Sequence, residues 1–314
     1  MPLWPEDAKP RLLLFVNLFT REGRLPPDQE TVLQHLIEAV ACSRLARPQV
    51  VVRVAPADLT AISEHLAGVN DLAVELLGPE SQQRRLPLLR DILLGSAAAV
   101  AAAHQEAASP LPPYALYINA DICLPPYAFD LVAQQVMQAS RGRASADRPG
   151  WQPAESLILN RRDQLPAHGR EPGPSPLDWH PGYDCFAFPL ALLPRLQLGE
   201  TCVGLPPIGA LLALNLLVLS KRVLLIDELF LSWHAGSDRQ WATVERQGAI
   251  AANWEAAAAA FRRLTRHDPR VLAQLPFVGF EKRLAAFSYR SLATAFATKS
   301  SAPPGEEGDL KPRL

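Results

Sequence analysis

The stretch YALYINAD, residues 114–121, indicates most directly how this chain folds. Its first five residues, from Tyr114 to Ile118, are apolar or aromatic without a break, which is the pattern of a strand buried on both faces of a sheet. The run then stops at two polar side chains, Asn119 and Asp121. A buried strand that delivers a carboxylate at its carboxyl end is typical of a parallel sheet whose ligand site lies at that edge.

Similar apolar runs lie on both sides of this stretch and predict further strands at residues 11–17, 49–54, 72–77, 156–159, 185–188 and 223–227. Helical spacing of apolar residues, or a run of strong helix formers, predicts helices at residues 28–40, 59–66, 86–103, 125–138 and 205–219. This β-α alternation predicts an α/β fold, with a mostly parallel sheet flanked by helices on both faces.

The domain organisation expected from the sequence is simple. Residues 11–298 form one domain, because 314 residues are enough for one large domain and no internal repeat divides them. Residues 1–10 are expected to be a flexible lead-in. The polar, proline-containing segment 299–314 is expected to be a disordered tail.

The net charge and a few sequence segments indicate which kinds of partner and which cellular compartment to expect. The formal net charge is -1, so nothing attracts nucleic acid or an anionic membrane in bulk, and we expect no nucleic-acid partner. The N-terminus is acidic and contains prolines, unlike a signal peptide, which predicts a cytoplasmic protein. The apolar stretch 205–219 is too short to span a bilayer comfortably, although peripheral membrane contact stays open. Abundant Arg, Ala, Leu and Pro indicate a GC-rich bacterial genome.

Two large enzyme classes are disfavoured by missing motifs. No GxGxxG follows the first strand and no GxxxxGK[ST] occurs, which argues against Rossmann dehydrogenases and P-loop nucleotide hydrolases. The four cysteines form no CxxC pair, so a structural zinc site is not indicated. Three of them have apolar neighbours and are expected to be buried, reduced thiols.

Further polar candidates lie beside other strand-like runs. Asn17 ends the first strand, and Arg161 follows the strand at 156–159. Asp184 lies in the segment DWHPGYDCFAF, residues 178–188, where aromatic residues beside a carboxylate are typical of a sugar-binding site. The alternative for Asp184 is that it caps a turn while the aromatic residues belong to the core. His234 lies in LSWHAGSDRQW, residues 231–241, and is either structural or a ligand to a metal.

Residues 119–121 resemble the DxD region of glycosyltransferases with the GT-A fold, in the variant form Asn-x-Asp. The resemblance implies that Asp121 binds a divalent cation, Mn²⁺ or Mg²⁺, which bridges the diphosphate of a nucleotide-sugar donor and neutralises the leaving group. It departs from the family at Asn119, which weakens the case for strict metal dependence. Asn119 can still contact the donor.

The resemblance also implies roles for other residues. Segment 231–241 is similar to the His-x-x-Gly-x-x-Lys-Pro-Trp element of some retaining members, which makes His234 a metal ligand and Arg239 a contact to the diphosphate. Asp184 would orient or deprotonate the acceptor hydroxyl. The remaining donor-binding candidates are Asn17, Arg90 on the helix before the 114–118 strand, and Arg161, since guanidinium groups match phosphate oxygens. A solvated helix face is the alternative for Arg90.

The function expected from this resemblance is transfer of a sugar from a nucleotide-diphospho-sugar donor to the hydroxyl of an unidentified acceptor. The alternative is a GT-A-like domain that binds nucleotide or glycan without transfer, which the Asn at position 119 favours. A nucleotidyltransferase is disfavoured, because the loop after the first strand has a single glycine, Gly23, where those enzymes carry a glycine-rich loop.

Overall fold

The computed structural model describes residues 9–82, 84, 86–96, 99, 111–144, 155–163, 179–226, 231–235 and 246–265. These residues all lie in one compact unit, Met1–Asp268. Residues 1–8 and the expected tail at 299–314 fall outside the described part of the chain. The domain boundaries at 11, 298 and 299 therefore stay predictions.

Within the described residues, nine strands form one sheet. Its strands are β1 (Arg11–Asn17), β2 (Arg47–Val54), β3 (Leu72–Leu76), β4 (Tyr114–Ile118), β5 (Ile122–Cys123), β6 (Ser156–Asp163), β7 (Trp179–Pro189), β8 (Val223–Ile226) and β9 (Trp233–His234). Across the sheet they run in the order β3-β2-β1-β4-β7-β6-β9-β5, and β8 also pairs with β6.

Most neighbouring strands run parallel. Strands β3, β2, β1 and β4 form a continuous parallel half, and β6 is parallel to β8 and β9. Strand β7 lies antiparallel between β4 and β6, and β5 pairs antiparallel with β9. The predicted α/β fold with a mostly parallel sheet is confirmed.

Helices cover the sheet, as the alternating pattern predicts. They are α1 (Pro27–Cys42), α2 (Leu59–His65), α3 (Pro79–Gln82), α4 (Leu89–Leu94), α5 (Ala128–Ala144), α6 (Ile208–Leu219) and α7 (Gln247–Thr265). The β1 side chains alternate between the two faces. Leu12 and Leu14 join one buried cluster with Leu36 of α1 and Phe129 of α5, and α4 contacts β1.

Within the described residues, the helix predicted at 86–103 is interrupted. Helix α4 begins at Leu89 and ends at Leu94, Gly95 and Ser96 are not helical, and Ala99 is helical again. The buried guanidinium of Arg53 donates a hydrogen bond of 2.9 Å to the Asp91 carbonyl oxygen, which in a longer helix would accept from the amide of residue 95. Arg53 therefore ends this helix, and helix propensity alone could not predict it.

The apolar segment predicted as a buried helix at 205–219 forms α6, which begins after a cis Pro206–Pro207 bond. It packs on β7 and α7. At Gly209 an added Cβ would lie 2.3 Å from the Tyr183 carbonyl oxygen, so the helix start approaches β7 too closely for a side chain. Within the described ranges, none of the helices combines the length and the apolar character needed to cross a bilayer.

Strand register brings the polar strand ends to one edge. Phe15 pairs with Tyr117, which sets Asn17 level with Asn119 at the carboxyl ends of β1 and β4. Ile118 and Leu159 both pair with Cys185 of β7, from its two sides. The prediction that Asn17, Asn119 and Asn160 share one edge of the sheet is confirmed.

Candidate functional site

Asp184, near the middle of β7, is bonded by side chains from the two neighbouring strands. Asn119, just after β4, donates from Nδ2 to Asp184 Oδ1 at 2.7 Å. Arg161 of β6 donates from Nη1 to Asp184 Oδ2 at 3.1 Å. Tyr117 of β4 donates its hydroxyl to Asn119 Oδ1 at 2.9 Å. Both oxygens of the Asp184 carboxylate are therefore engaged by donors of the protein itself.

An irregularity in β6 accompanies the position of Arg161. The pairing of β6 with β7 shifts register between Leu159 and Asn160, and again between Asn160 and Arg162. Bulges of this kind bend a strand and change the direction of its side chains. Ser232 secures the bend, because its Oγ donates to the Asn160 carbonyl and its own carbonyl accepts from the Arg162 amide. Arg161 is 8% exposed and points its guanidinium at Asp184.

Asp121 and His234 form a second pair at the same edge. Short strands β5 and β9 pair so that Ile122 lies opposite His234, and the Ala235 amide donates to the Asp121 carbonyl at 2.8 Å. His234 Nε2 lies 3.0 Å from Asp121 Oδ2. Asp121 Oδ1 is buried and has no hydrogen-bond partner among the residues that the structure describes. The described residues therefore leave the hydrogen-bonding capacity of this carboxylate oxygen unsatisfied.

Burial and neighbouring charges shift the ionisation of these groups. Burial raises the pKa of Asp184, and the Arg161 guanidinium opposes that rise. Burial by itself lowers the pKa of His234, but the hydrogen bond and the charge of Asp121 outweigh it, so this pKa lies above the ordinary value of 6.5. Burial raises the pKa of Tyr117, which keeps its hydroxyl protonated as a donor.

The edge brings five of the predicted residues together: Asn119, Asp121, Arg161, Asp184 and His234. The negative charge of Asp121 raises the pKa of Asp184 and the charge of His234 lowers it, so the two pairs are close enough to interact. Asp121, Asp184 and His234 therefore lie near one another at this edge, and their roles in binding and catalysis stay predictions.

The remaining candidates have other contacts or lie outside the described ranges. Asn17 donates from Nδ2 to the Arg53 carbonyl at 2.7 Å, so its amide joins the ends of β1 and β2. Arg90 forms an ion pair with Glu80 and lies 3.8 Å from Asp91, so carboxylates of the protein already engage it. Arg239 falls outside the described residues, and its predicted contact to the donor stays untested.

Tyr117 is a site residue that was not predicted, because it lies within an apolar strand. Alternate residues of a strand nevertheless point to the same face. Tyr117 precedes Asn119 by two positions, and a buried tyrosine hydroxyl usually finds a hydrogen-bond partner. The two-residue spacing between Tyr117 and Asn119 could therefore have identified Tyr117 as a site residue.

The predicted cation site can be tested against these contacts. Two ligands at right angles, each about 2.1 Å from an octahedral cation, are about 3.0 Å apart. The separation of His234 Nε2 and Asp121 Oδ2 is also 3.0 Å. The same 3.0 Å is an ordinary hydrogen-bond distance, so binding of Mg²⁺ or Mn²⁺ by this pair would require loss of the proton that His234 shares with Asp121. No cluster of three or more His, Cys, Asp or Glu side chains suited to a metal occurs in the described part of the chain, so donor oxygens would have to supply other ligands.

No protein-family model matches this sequence, and a sequence search of curated proteins finds no match. The fold does have solved counterparts. S. aureus TarS 1–349 in complex with UDP-GlcNAc aligns with a TM-score of 0.52 and 12% sequence identity, over 94% of this chain and 76% of that one. A second structure of S. aureus TarS aligns with a TM-score of 0.50 and 13% identity, over 92% of this chain and 45% of that one.

At this level of identity the likeness concerns the fold alone. It extends over 94% of this chain. The chain therefore has a nucleotide-diphospho-sugar transferase-like fold.

Proposed function

We propose that this protein binds a nucleotide-diphospho-sugar at the carboxyl edge of its sheet and transfers the sugar to a hydroxyl acceptor. The observation that carries the proposal is the convergence of Asp121 and His234 with Asn119, Asp184 and Arg161 at this edge. The likeness in fold to a TarS structure that holds UDP-GlcNAc supports a nucleotide sugar as the ligand.

The charges at this edge suit a diphosphate leaving group. Asp121 and His234 would hold a divalent cation, which supplies positive charge to the diphosphate as the glycosidic bond breaks. Arg161 lies beside this pair and adds a guanidinium, whose planar donors match phosphate oxygens. Arg161 is paired with Asp184 and His234 with Asp121, so the net positive charge that attracts the donor would have to come from the cation.

The second candidate is a domain that binds the donor without transferring the sugar. The observation that favours it is the engagement of Asp184, whose two carboxylate oxygens each accept a hydrogen bond, from Asn119 and from Arg161. A general base must reach the hydroxyl that it deprotonates and accept its proton. Each oxygen keeps a second lone pair, but the two hydrogen bonds stabilise the ionised carboxylate and make Asp184 a weaker base.

Donor binding can be measured by thermal unfolding in the presence of UDP-GlcNAc, with and without Mn²⁺. A ligand that binds only the folded state, at about 100 times its dissociation constant, stabilises that state by about 2.7 kcal/mol. The melting temperature of the wild type should therefore rise by several degrees. Asp121→Ala should lose the part of the rise that depends on Mn²⁺, because it removes the oxygen that has no other partner.

The matched control is Glu64→Ala, which removes an exposed carboxylate on α2. It should respond to the ligand as the wild type does. An equal rise in Asp121→Ala and the wild type contradicts the assignment of the donor site. Release of UDP in the presence of candidate acceptors then separates the transferase from the binding domain.

A further inference from the structure

Asn119 uses both ends of its side-chain amide. Its Oδ1 accepts from the Tyr117 hydroxyl at 2.9 Å, and its Nδ2 donates to Asp184 at 2.7 Å. An amide rotated by half a turn would place an oxygen against the Asp184 carboxylate and an N–H against the donor hydroxyl of Tyr117. The tyrosine hydroxyl can donate or accept, but an ionised carboxylate can only accept, so Asp184 selects the orientation in which Asn119 donates to it. The Tyr117 hydroxyl then donates to Asn119 Oδ1 and holds the amide in that orientation.

Asp184 can only accept hydrogen bonds when it is ionised, and both of its oxygens have a donor. One donor, Arg161, carries the balancing positive charge. The other, Asn119, carries no charge. An aspartate at position 119 would put a second negative charge within about 3 Å of the first, a separation at which like charges repel strongly. The amide at this position therefore matches the charge of its neighbours.

We propose that Tyr117 and Asn119 are positioning residues that act in series on Asp184, and that position 119 requires an amide because a carboxylate there would face Asp184. The role of Asp184 is then to hold Arg161 and Asn119 at the sheet edge. The chain of contacts does not depend on the proposed function. Only the consequence that Arg161 is fixed beside the donor rests on it.

Exchange of the two side chains tests this arrangement. Thermal unfolding at one neutral pH would compare Asn119→Asp, Asp184→Asn and the double variant that carries both changes. The first variant opposes two carboxylates, and the second leaves Arg161 without its counter-charge, so each should lower the melting temperature by about 5 °C. The double variant again places one amide against one carboxylate. Its loss should be clearly smaller than the sum of the two single losses.

The matched control is Asn70→Asp, which introduces the same charge at an exposed turn and should unfold as the wild type does. Losses that add, or an Asn119→Asp variant as stable as this control, would overturn the proposal. If Asn119 only filled space, the double variant would recover none of the stability that the two single variants lose.

A second double-mutant cycle tests the proposal if the Asn119→Asp variant does not fold. It combines Tyr117→Phe, which removes the hydroxyl that orients the amide, with Asp184→Asn. Tyr117→Phe should cost less stability when Asp184 is already changed, whereas additive losses contradict the series. Tyr127→Phe, at a tyrosine that is 51% exposed, is the control. Unfolding needs no donor, so these outcomes are independent of the response to UDP-GlcNAc that tests the proposed function.

Discussion

At the scale of single residues, the candidate site consists of two acid–base pairs with different exposure. Asp184 and Arg161 form a buried pair, whose side chains are 14% and 9% exposed. Asp121 is 38% exposed, while its partner His234 is 5% exposed. The buried pair is suited to fixing geometry, and the more exposed carboxylate is suited to meeting a ligand.

Removal of only one partner of the Arg161–Asp184 pair should strongly lower the free energy of unfolding. Arg161→Ala would leave the Asp184 carboxylate buried without its counter-charge, and losses of about 3 kcal/mol are usual in such cases. Urea unfolding of the variant would measure the change in the free energy of unfolding. Arg162→Ala, at the neighbouring and partly exposed arginine, is the comparison, and equal losses in both variants would contradict a special role for Arg161.

The Asp121–His234 contact predicts a pH dependence of stability. Because the pKa of His234 is raised in the folded state, the contact stabilises the protein below the ordinary pKa of 6.5, and this contribution is lost as the pH rises through the folded pKa. The pH titration of the His234 ring, followed by NMR in buffer with EDTA, should therefore have its midpoint above 6.5. Asp121→Asn should lower that midpoint, and an unchanged midpoint would exclude Asp121 as the cause.

At the scale of elements, close packing sets the distance between α6 and the strand that carries Asp184. Gly209 in the first turn of α6 lies against the backbone of Tyr183, the residue that precedes Asp184. Asn215 fixes the middle of the same helix, because its side chain bonds the backbone of Gln197 at both its N–H and its carbonyl. Contacts at Gly209 and Asn215 therefore fix the position of α6 relative to β7 and Gln197.

Gly209→Ala should consequently displace α6 from β7. The new Cβ would meet the Tyr183 carbonyl oxygen at 2.3 Å, and overpacking of this kind costs about 1–3 kcal/mol. A lower midpoint of urea unfolding would report the displacement. Gly248→Ala provides the control, since a Cβ added there meets nothing within 4 Å. Similar midpoints for both variants would show that the approach of α6 to β7 tolerates a side chain.

At the scale of the whole molecule, burial falls from the middle of the sheet towards β3. Strands β1 and β4 are almost entirely buried, whereas every residue of β3 is at least partly exposed. Strand β3 is also an end of the strand order. Local opening costs least where few apolar contacts must be broken.

Hydrogen exchange followed by mass spectrometry should reproduce this gradient. Amides of β1 and β4 should exchange only through global unfolding, and amides of β3 should exchange faster, through local opening. Addition of denaturant should then accelerate the hydrogen exchange of the β1 and β4 amides together. Uniform protection of all three strands would contradict the gradient.

The sequence by itself determined the strands and the edge where they end. Residues 12–16 and 114–118 are apolar without a break, so their burial in the sheet can be predicted from these short segments alone. Parallel strands end at the same edge, which is why Asn17, Asn119 and Asp121 could be placed near a common site. Local patterns of this kind need no knowledge of distant residues.

Only the tertiary structure decided which polar groups meet. Asp121 and His234 are 113 positions apart, and their contact depends on the pairing of two short strands, β5 and β9. The contact between Arg161 and Asp184 depends on an irregular register in β6, and the end of α4 depends on Arg53 of a distant strand. Register and bulges follow from the combined packing of sequence-distant segments, so a pattern read along one segment does not contain them.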